Sequence, residues 1–171
     1  MDVLQIMILA CGQTNKFQPI KKIVDAVHKN GAKIGIQIAH AGRKAEDANP
    51  PVAPSAIPAT KDDKKPRALT TEEVRETVQQ FQDAAKRAVD AGFDTIELHG
   101  AHGYLIHQFH SPGINQREDE YQELSLFGAQ IIRAVKAVIP EDMPLLMRIS
   151  AVEYMDDGYD IDHALEIAKK I

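Results

Sequence analysis

The chain has 171 residues, 44% apolar and 26% charged, a composition that folds and excludes a disordered tract. Its 20 basic and 25 acidic side chains give a formal charge of −5, mixed along the chain, which argues against a nucleic-acid partner. The length supports one domain with a real core but falls short of the roughly 250 residues of a complete eight-stranded α/β barrel.

In chain order, Val3 to Cys11 is apolar but too short to span a membrane, and it reads as a buried strand or a truncated end rather than a signal peptide. No membrane partner is expected. The single cysteine, Cys11, forms no intrachain disulfide and has no neighbour that would activate it, which fits a reducing, cytoplasmic setting. From Pro19 to Lys29 the apolar stripe Ile20, Ile23, Val24 and Val27 predicts a helix, closed by Asn30-Gly31. Lys33 to Ile38 reads as a strand. Ala39 to Ala68 is a long irregular passage with prolines at 50, 51, 54, 58 and 66, the kind of loop that walls a site.

Thr70 and Glu73 fit a capping box for a helix whose apolar face carries Val74, Val78, Phe81, Ala85 and Val89 and which ends at Gly92. Phe93 to Leu98 is the next strand, with Glu97 unusual for a buried position. A third helix covers Ser125 to Val138, Leu145 to Ser150 is a strand, and Asp162 to Ile171 is a terminal helix whose Leu165, Ile167, Ala168 and Ile171 need a partner surface. This alternation predicts an α/β fold of parallel strands alternating with helices, either part of a TIM (β/α)8 barrel or a small open sheet.

In such folds the loops leaving the carboxyl ends of strands build the site. The chemically rich residues fall there: Gln37, His40, Gly42, Arg43 and Lys44, then His99, His102 and Tyr104, then Arg148 and Ser150. His99 and His102 can both turn a ring nitrogen toward one oxygen and donate to a growing oxyanion. Tyr104 offers a proton, given a strongly basic acceptor. A strand cap with an outward tyrosine is the plain alternative. A metal site is the sharper rival, since His99, His102, His107 and His110 lie close together. However, His107 and His110 fall one turn apart on a short helix, where they read as surface or packing residues, and no His-Glu-x-x-His pattern occurs, so no metal is expected.

Arg43 and Lys44, taken alone, read as solvent-facing. Arg148 needs an anion or ring partner if its strand is buried. Asn115, Arg117, Asp119, Glu120 and Tyr121 read as a polar loop tied by its own hydrogen bonds.

Ile36 through Lys44, Ala53-Pro54-Ser55, His99 through Leu105 and Ser111 through Tyr121, in this order, resemble the old yellow enzyme family, in its bacterial NADPH dehydrogenase and xenobiotic-reductase branch. The resemblance runs from about Phe17 to the end of the chain. It implies an FMN-binding (β/α)8 barrel reduced by NADPH or NADH. Gln37 and Arg148 would bind the flavin ring, with Arg148 near its N1–C2 edge. His99, Gly100, Ala101, His102, Tyr104 and Lys44 would line the substrate pocket, with His99 and His102 gripping a carbonyl or nitro oxygen and Tyr104 as candidate proton donor. The implied reaction passes hydride to an activated alkene or nitro compound.

The chain departs from the pattern in residues 1–18, a divergent N-terminal segment, and after Tyr121, where Gln122-Glu123-Leu124 replaces the family's Gly-Gly-Ser run. The strands that bind the FMN phosphate are absent, so residues 1–171 are expected to form a single partial barrel lacking the C-terminal half. Two functional readings follow: an FMN-dependent oxidoreductase, or a truncated scaffold with little flavin binding. A homo-oligomer made by half-barrel association would restore a full site.

Overall fold

A computed structural model describes residues 3–9 and 17–171, with side chains from residue 20 onward; Cys11 and half of the divergent N-terminal segment lie outside the described residues. The elements in chain order are β1 (Val3–Leu9), α1 (Phe17–Lys29), β2 (Lys33–Ala39), β3 (Val52–Ala53), β4 (Arg67–Ala68), α2 (Thr71–Ala91), β5 (Thr95–Gly100), α3 (Leu105–His110), α4 (Leu126–Lys136), β6 (Leu145–Ile149) and α5 (Ile161–Lys170). β1, β2, β5 and β6 pair in that order, all parallel. Parallel neighbours require crossovers, and α1, α2 and α4 supply them. This is the α/β architecture of a partial (β/α) barrel. Among the described residues no helix is long and apolar enough to cross a membrane.

Local chemistry sets the helix ends. Thr70 Oγ1 accepts from the Glu73 amide at 3.2 Å while the Glu73 carboxylate accepts from the Thr70 amide at 2.8 Å, the expected reciprocal cap, which contributes about 1 kcal/mol. Gly92, at φ 90°, ends α2 in the left-handed conformation. At the base of the sheet Asp94 accepts from Lys33 at 2.7 Å, the Ile34 amide at 2.9 Å and the His28 ring at 2.8 Å. Burial raises its carboxyl, and these partners more than reverse that, holding it at about 2.

One face of the sheet packs under the helices. Ile34, Ile36, Ile38, Ile96 and Leu98 are buried there against Val74, Phe81, Ala85 and Ala88 of α2 and Phe127 and Ile131 of α4. Because cross-strand register keeps paired side chains on one face, Gln37, Glu97, His99 and Arg148 share the opposite face. β6 is the edge, and Leu146 on that second face is 51% exposed.

The passage from Ala39 to Ala68 contains one small device that periodicity does not reveal. β3 and β4 pair over two residues each, tied by Arg67 N to Pro51 O and Leu69 N to Ala53 O. Arg117 anchors this passage, donating to Pro54 O at 3.0 Å and Leu69 O at 2.5 Å and pairing with Asp119, while Asn115 donates to Phe109 O and Tyr121 O. The polar loop is therefore a structural knot, as its composition suggests. In α5, Ile167 is buried while Leu165 stays half-exposed, so only part of the terminal helix finds a partner within the chain.

Candidate active site

β5 runs two residues beyond its expected end, so His99 and Gly100 belong to the strand itself. His99 is 3% exposed, and its ring packs edge-on against His102, centroids 5.1 Å apart at 81°, and against Tyr104, 4.9 Å apart at 62°. The three side chains singled out by the sequence therefore form one cluster. His102 is exposed and Tyr104 half-buried, so the cluster opens outward from a buried base. Burial, then the neighbouring His102, lowers the His99 pKa, keeping this imidazole neutral near pH 7. Its Nδ1 is buried with no hydrogen-bond partner among the described residues.

The backbone beneath the cluster is unusual. His102 sits at φ 57°, in the left-handed region that side chains with a Cβ rarely adopt, and Gly103 follows at φ 72°. The His102 amide donates to Ser150 Oγ at 3.1 Å, and Lys44 Nζ donates to the His102 carbonyl at 2.9 Å. Lys44 is exposed, as a solvent-facing reading expects, but Arg43 is not. Its guanidinium is buried beneath the Ala39–Ala68 passage, donating to Pro58 O at 3.1 Å and Ile57 O at 3.4 Å. That correction has a simple cause: the passage folds back onto Arg43, and its carbonyls need donors.

Arg148 has the anion partner it requires. Its Nε donates to Glu97 Oε1 at 3.0 Å, and the Gln37 carboxamide donates to the same oxygen. Glu97, odd in an apolar strand, is thus the acceptor that sets Gln37 and Arg148 side by side next to His99. The sequence signal for this was the misplaced acid itself, but only the register supplies its partners.

His107 and His110 are not surface residues. His107 is buried and bonds Glu153 through Nε2 at 2.7 Å, the two side chains being 6% and 2% exposed. Ser111 Oγ and the Tyr159 amide complete the Glu153 carboxylate. Burial raises Glu153, and the bonds from His107 and Ser111 outweigh it, leaving the carboxyl below its ordinary value. His110 is fully buried with neither ring nitrogen bonded among the described residues, and burial lowers its pKa to about 3. Among the described residues no group of three metal-ligating side chains gathers.

A cavity of about 830 Å³ borders the histidine loop at His102 and Gly103, with Lys44, Arg43, His107, Ser150 and Glu153 in its walls. Pro51, Ala59, Thr60 and Asp63 close it from the Ala39–Ala68 side, so that passage is a wall. The cavity does not reach His99, Gln37 or Arg148, which lie on the open face of the sheet.

Residues 7–171 match the sequence profile of the NADH:flavin oxidoreductase / NADH oxidase family. An NADPH dehydrogenase of Bacillus velezensis is 51% identical over 152 residues, covering 86% of this chain and 44% of its own. One from Geobacillus sp. is 45% identical over 156 residues, covering 89% of this chain and 45% of its own. The chain thus spans a little under half the length of these relatives. Among solved structures, a 2-naphthoyl-CoA reductase complex superposes with a TM-score of 0.86 at 27% identity, over 92% of this chain and 27% of that one. A histamine dehydrogenase from Rhizobium sp. 4-9 superposes with a TM-score of 0.82 at 31% identity, over 92% of this chain and 24% of that one. The chain belongs to the NADH:flavin oxidoreductase / NADH oxidase family, a family of FMN-binding oxidoreductases that use NAD(P)H as reductant.

Proposed function

We propose that this chain supplies the substrate-gripping face of an FMN- and NAD(P)H-dependent oxidoreductase acting on small electrophilic alkenes such as enones, or on nitro compounds. The observation that carries the reading is the His99–His102–Tyr104 cluster, in which the His102 ring lies 5.1 Å and the Tyr104 ring 4.9 Å from the buried His99 ring. His99 and His102 donate to the carbonyl or nitro oxygen and stabilise the negative charge that develops there during reduction. Gly100 and Ala101 bring the backbone close beneath the substrate, and Tyr104 holds the proton to be delivered to carbon. Lys44 stands at the mouth of the site.

The donor set on the open face suits a flavin ring. The Gln37 carboxamide and the Arg148 guanidinium stand side by side on Glu97, and an amide and a cation match the polar edge of that ring. FMN, when bound, supplies hydride taken from NAD(P)H. A cytoplasmic setting, where that reductant is abundant, fits the reading.

A second reading is favoured by one observation: Leu146 and the half-exposed Arg148 leave the open face of β6 wet. In this reading the isolated chain is a scaffold with little flavin affinity, and association of two half-barrels covers that face. The deciding experiment follows NADPH consumption by the full chain with FMN and cyclohexenone or nitrobenzene, beside His99→Ala and His102→Ala. The enzyme reading expects turnover that falls about 100-fold or more in either variant, as when an oxyanion donor is removed. Equal rates in all three would sink it, and an absence of turnover with a folded, associated, flavin-free chain supports the scaffold.

A further inference from the structure

We propose that Gln108, assisted by Ser150, is a positioning residue that sets the left-handed backbone of His102 and so the angle between the His99 and His102 rings. The inference rests on the reading of those rings as the oxyanion grip. Gln108 is fully buried in the first turns of α3. Its Oε1 accepts from the Arg43 amide at 3.3 Å, and its Nε2 donates to Ala41 O at 3.2 Å and to Gly103 O at 2.8 Å. One carboxamide thereby joins the loop after β2 to the loop after β5.

The fit is specific to an amide. One face of the pocket presents an N–H and the other two carbonyl oxygens, so only a group with an acceptor and two donors satisfies all three. Gly42, at φ 60°, makes the room: a Cβ there would come within 2.4 Å of the Gln108 Nε2 atom. Across the loop the Ser150 hydroxyl takes the His102 amide. The His102–Gly103 segment is thus held at its amide by Ser150, just past β6, and at the Gly103 carbonyl by α3. A left-handed non-glycine residue is strained and persists only where its surroundings hold it. When the hold is released, His102 relaxes toward ordinary backbone geometry and its ring leaves the position facing His99.

The test uses the full chain labelled with 15N-histidine, with Gln108→Met, which keeps volume but removes the amide, and Ser150→Ala, a milder change outside the core. The His102 ring and amide signals are recorded, with His28 at the opposite end of the sheet as an internal control, and benzoate is titrated as the oxyanion probe. The expected result is a shifted His102 signal in both variants, an unmoved His28 signal, and benzoate affinity reduced about 10- to 100-fold, the cost of roughly an ångström of misplacement. Should Gln108→Met not fold, Ser150→Ala decides. Unmoved His102 signals in a folded variant overturn the inference. A wild-type chain whose His99 and His102 signals ignore benzoate contradicts the oxyanion reading instead, and the His102 shifts in the variants still judge the positioning role.

Discussion

Arg148 Nε donates to Glu97 Oε1 at 3.0 Å across two adjacent parallel strands, and Gln37 donates to the same oxygen from the strand beyond. The three side chains form a row on the open face of the sheet, beside His99. A glutamate in an apolar strand is costly to bury unless donors reach it. Here the two residues proposed to meet the flavin ring hold it, and it fixes them in return.

Replacing Arg148 by Leu therefore acts on binding more than on folding. The pair is partly exposed, with side chains 47% and 12% accessible, so its loss changes stability by at most about 1 kcal/mol. FMN affinity, read from quenching of flavin fluorescence, is expected to fall about 10- to 100-fold, the equivalent of one charge-assisted hydrogen bond. An unchanged affinity would remove Arg148 from the flavin site.

His110→Leu is expected to stabilise the chain. The native ring is fully buried with both nitrogens unbonded among the described residues, so an apolar side chain of similar size removes a desolvation penalty of about 1–3 kcal/mol. The native imidazole titrates at about 3 against an ordinary 6.5. As pH falls below 6.5 the unfolded chain takes up this proton and the native chain does not, so the wild type loses stability from 6.5 down to about 3. Urea midpoints at pH 7 and pH 5 check both points: the variant should lie higher at each, and by more at pH 5.

Glu153→Ala is expected to be strongly destabilising. It leaves His107, Ser111 and the Tyr159 amide without their shared acceptor in a buried setting, and breaking such a pair costs about 3 kcal/mol or more. The native carboxyl lies below its ordinary 4.5, so the contribution of Glu153 is complete above pH 4.5 and is lost as pH falls through the native value. Thermal melts of wild type and variant should converge in that acid range, and a constant gap down to pH 3 would contradict the assignment.

The alternation of strand and helix was legible because apolar spacing, Asn30-Gly31, the Thr70–Glu73 box and Gly92 all point the same way. The histidine cluster was legible because its members lie within six residues on one strand end. Roles that depend on distant pairing were not. Glu97 stood out as misplaced, but its partners come from register across three strands. Gln108 carried no signal at all, since a glutamine on a short helix becomes a clamp only once two loops converge on it. Likewise His107 reads from the sequence as a surface or packing residue, and only Glu153, from beyond β6, gives it a buried partner.

The flavin site proposed for this chain has the His99–His102–Tyr104 cluster as its substrate face. The most direct measurement is the visible spectrum of the purified chain after incubation with FMN and removal of excess, followed by anaerobic NADPH and then cyclohexenone. A retained flavin spectrum, bleaching by NADPH, and recovery of the oxidised spectrum on adding the enone are expected. A folded chain that keeps no flavin, or whose bleached flavin does not respond to the enone, would contradict it.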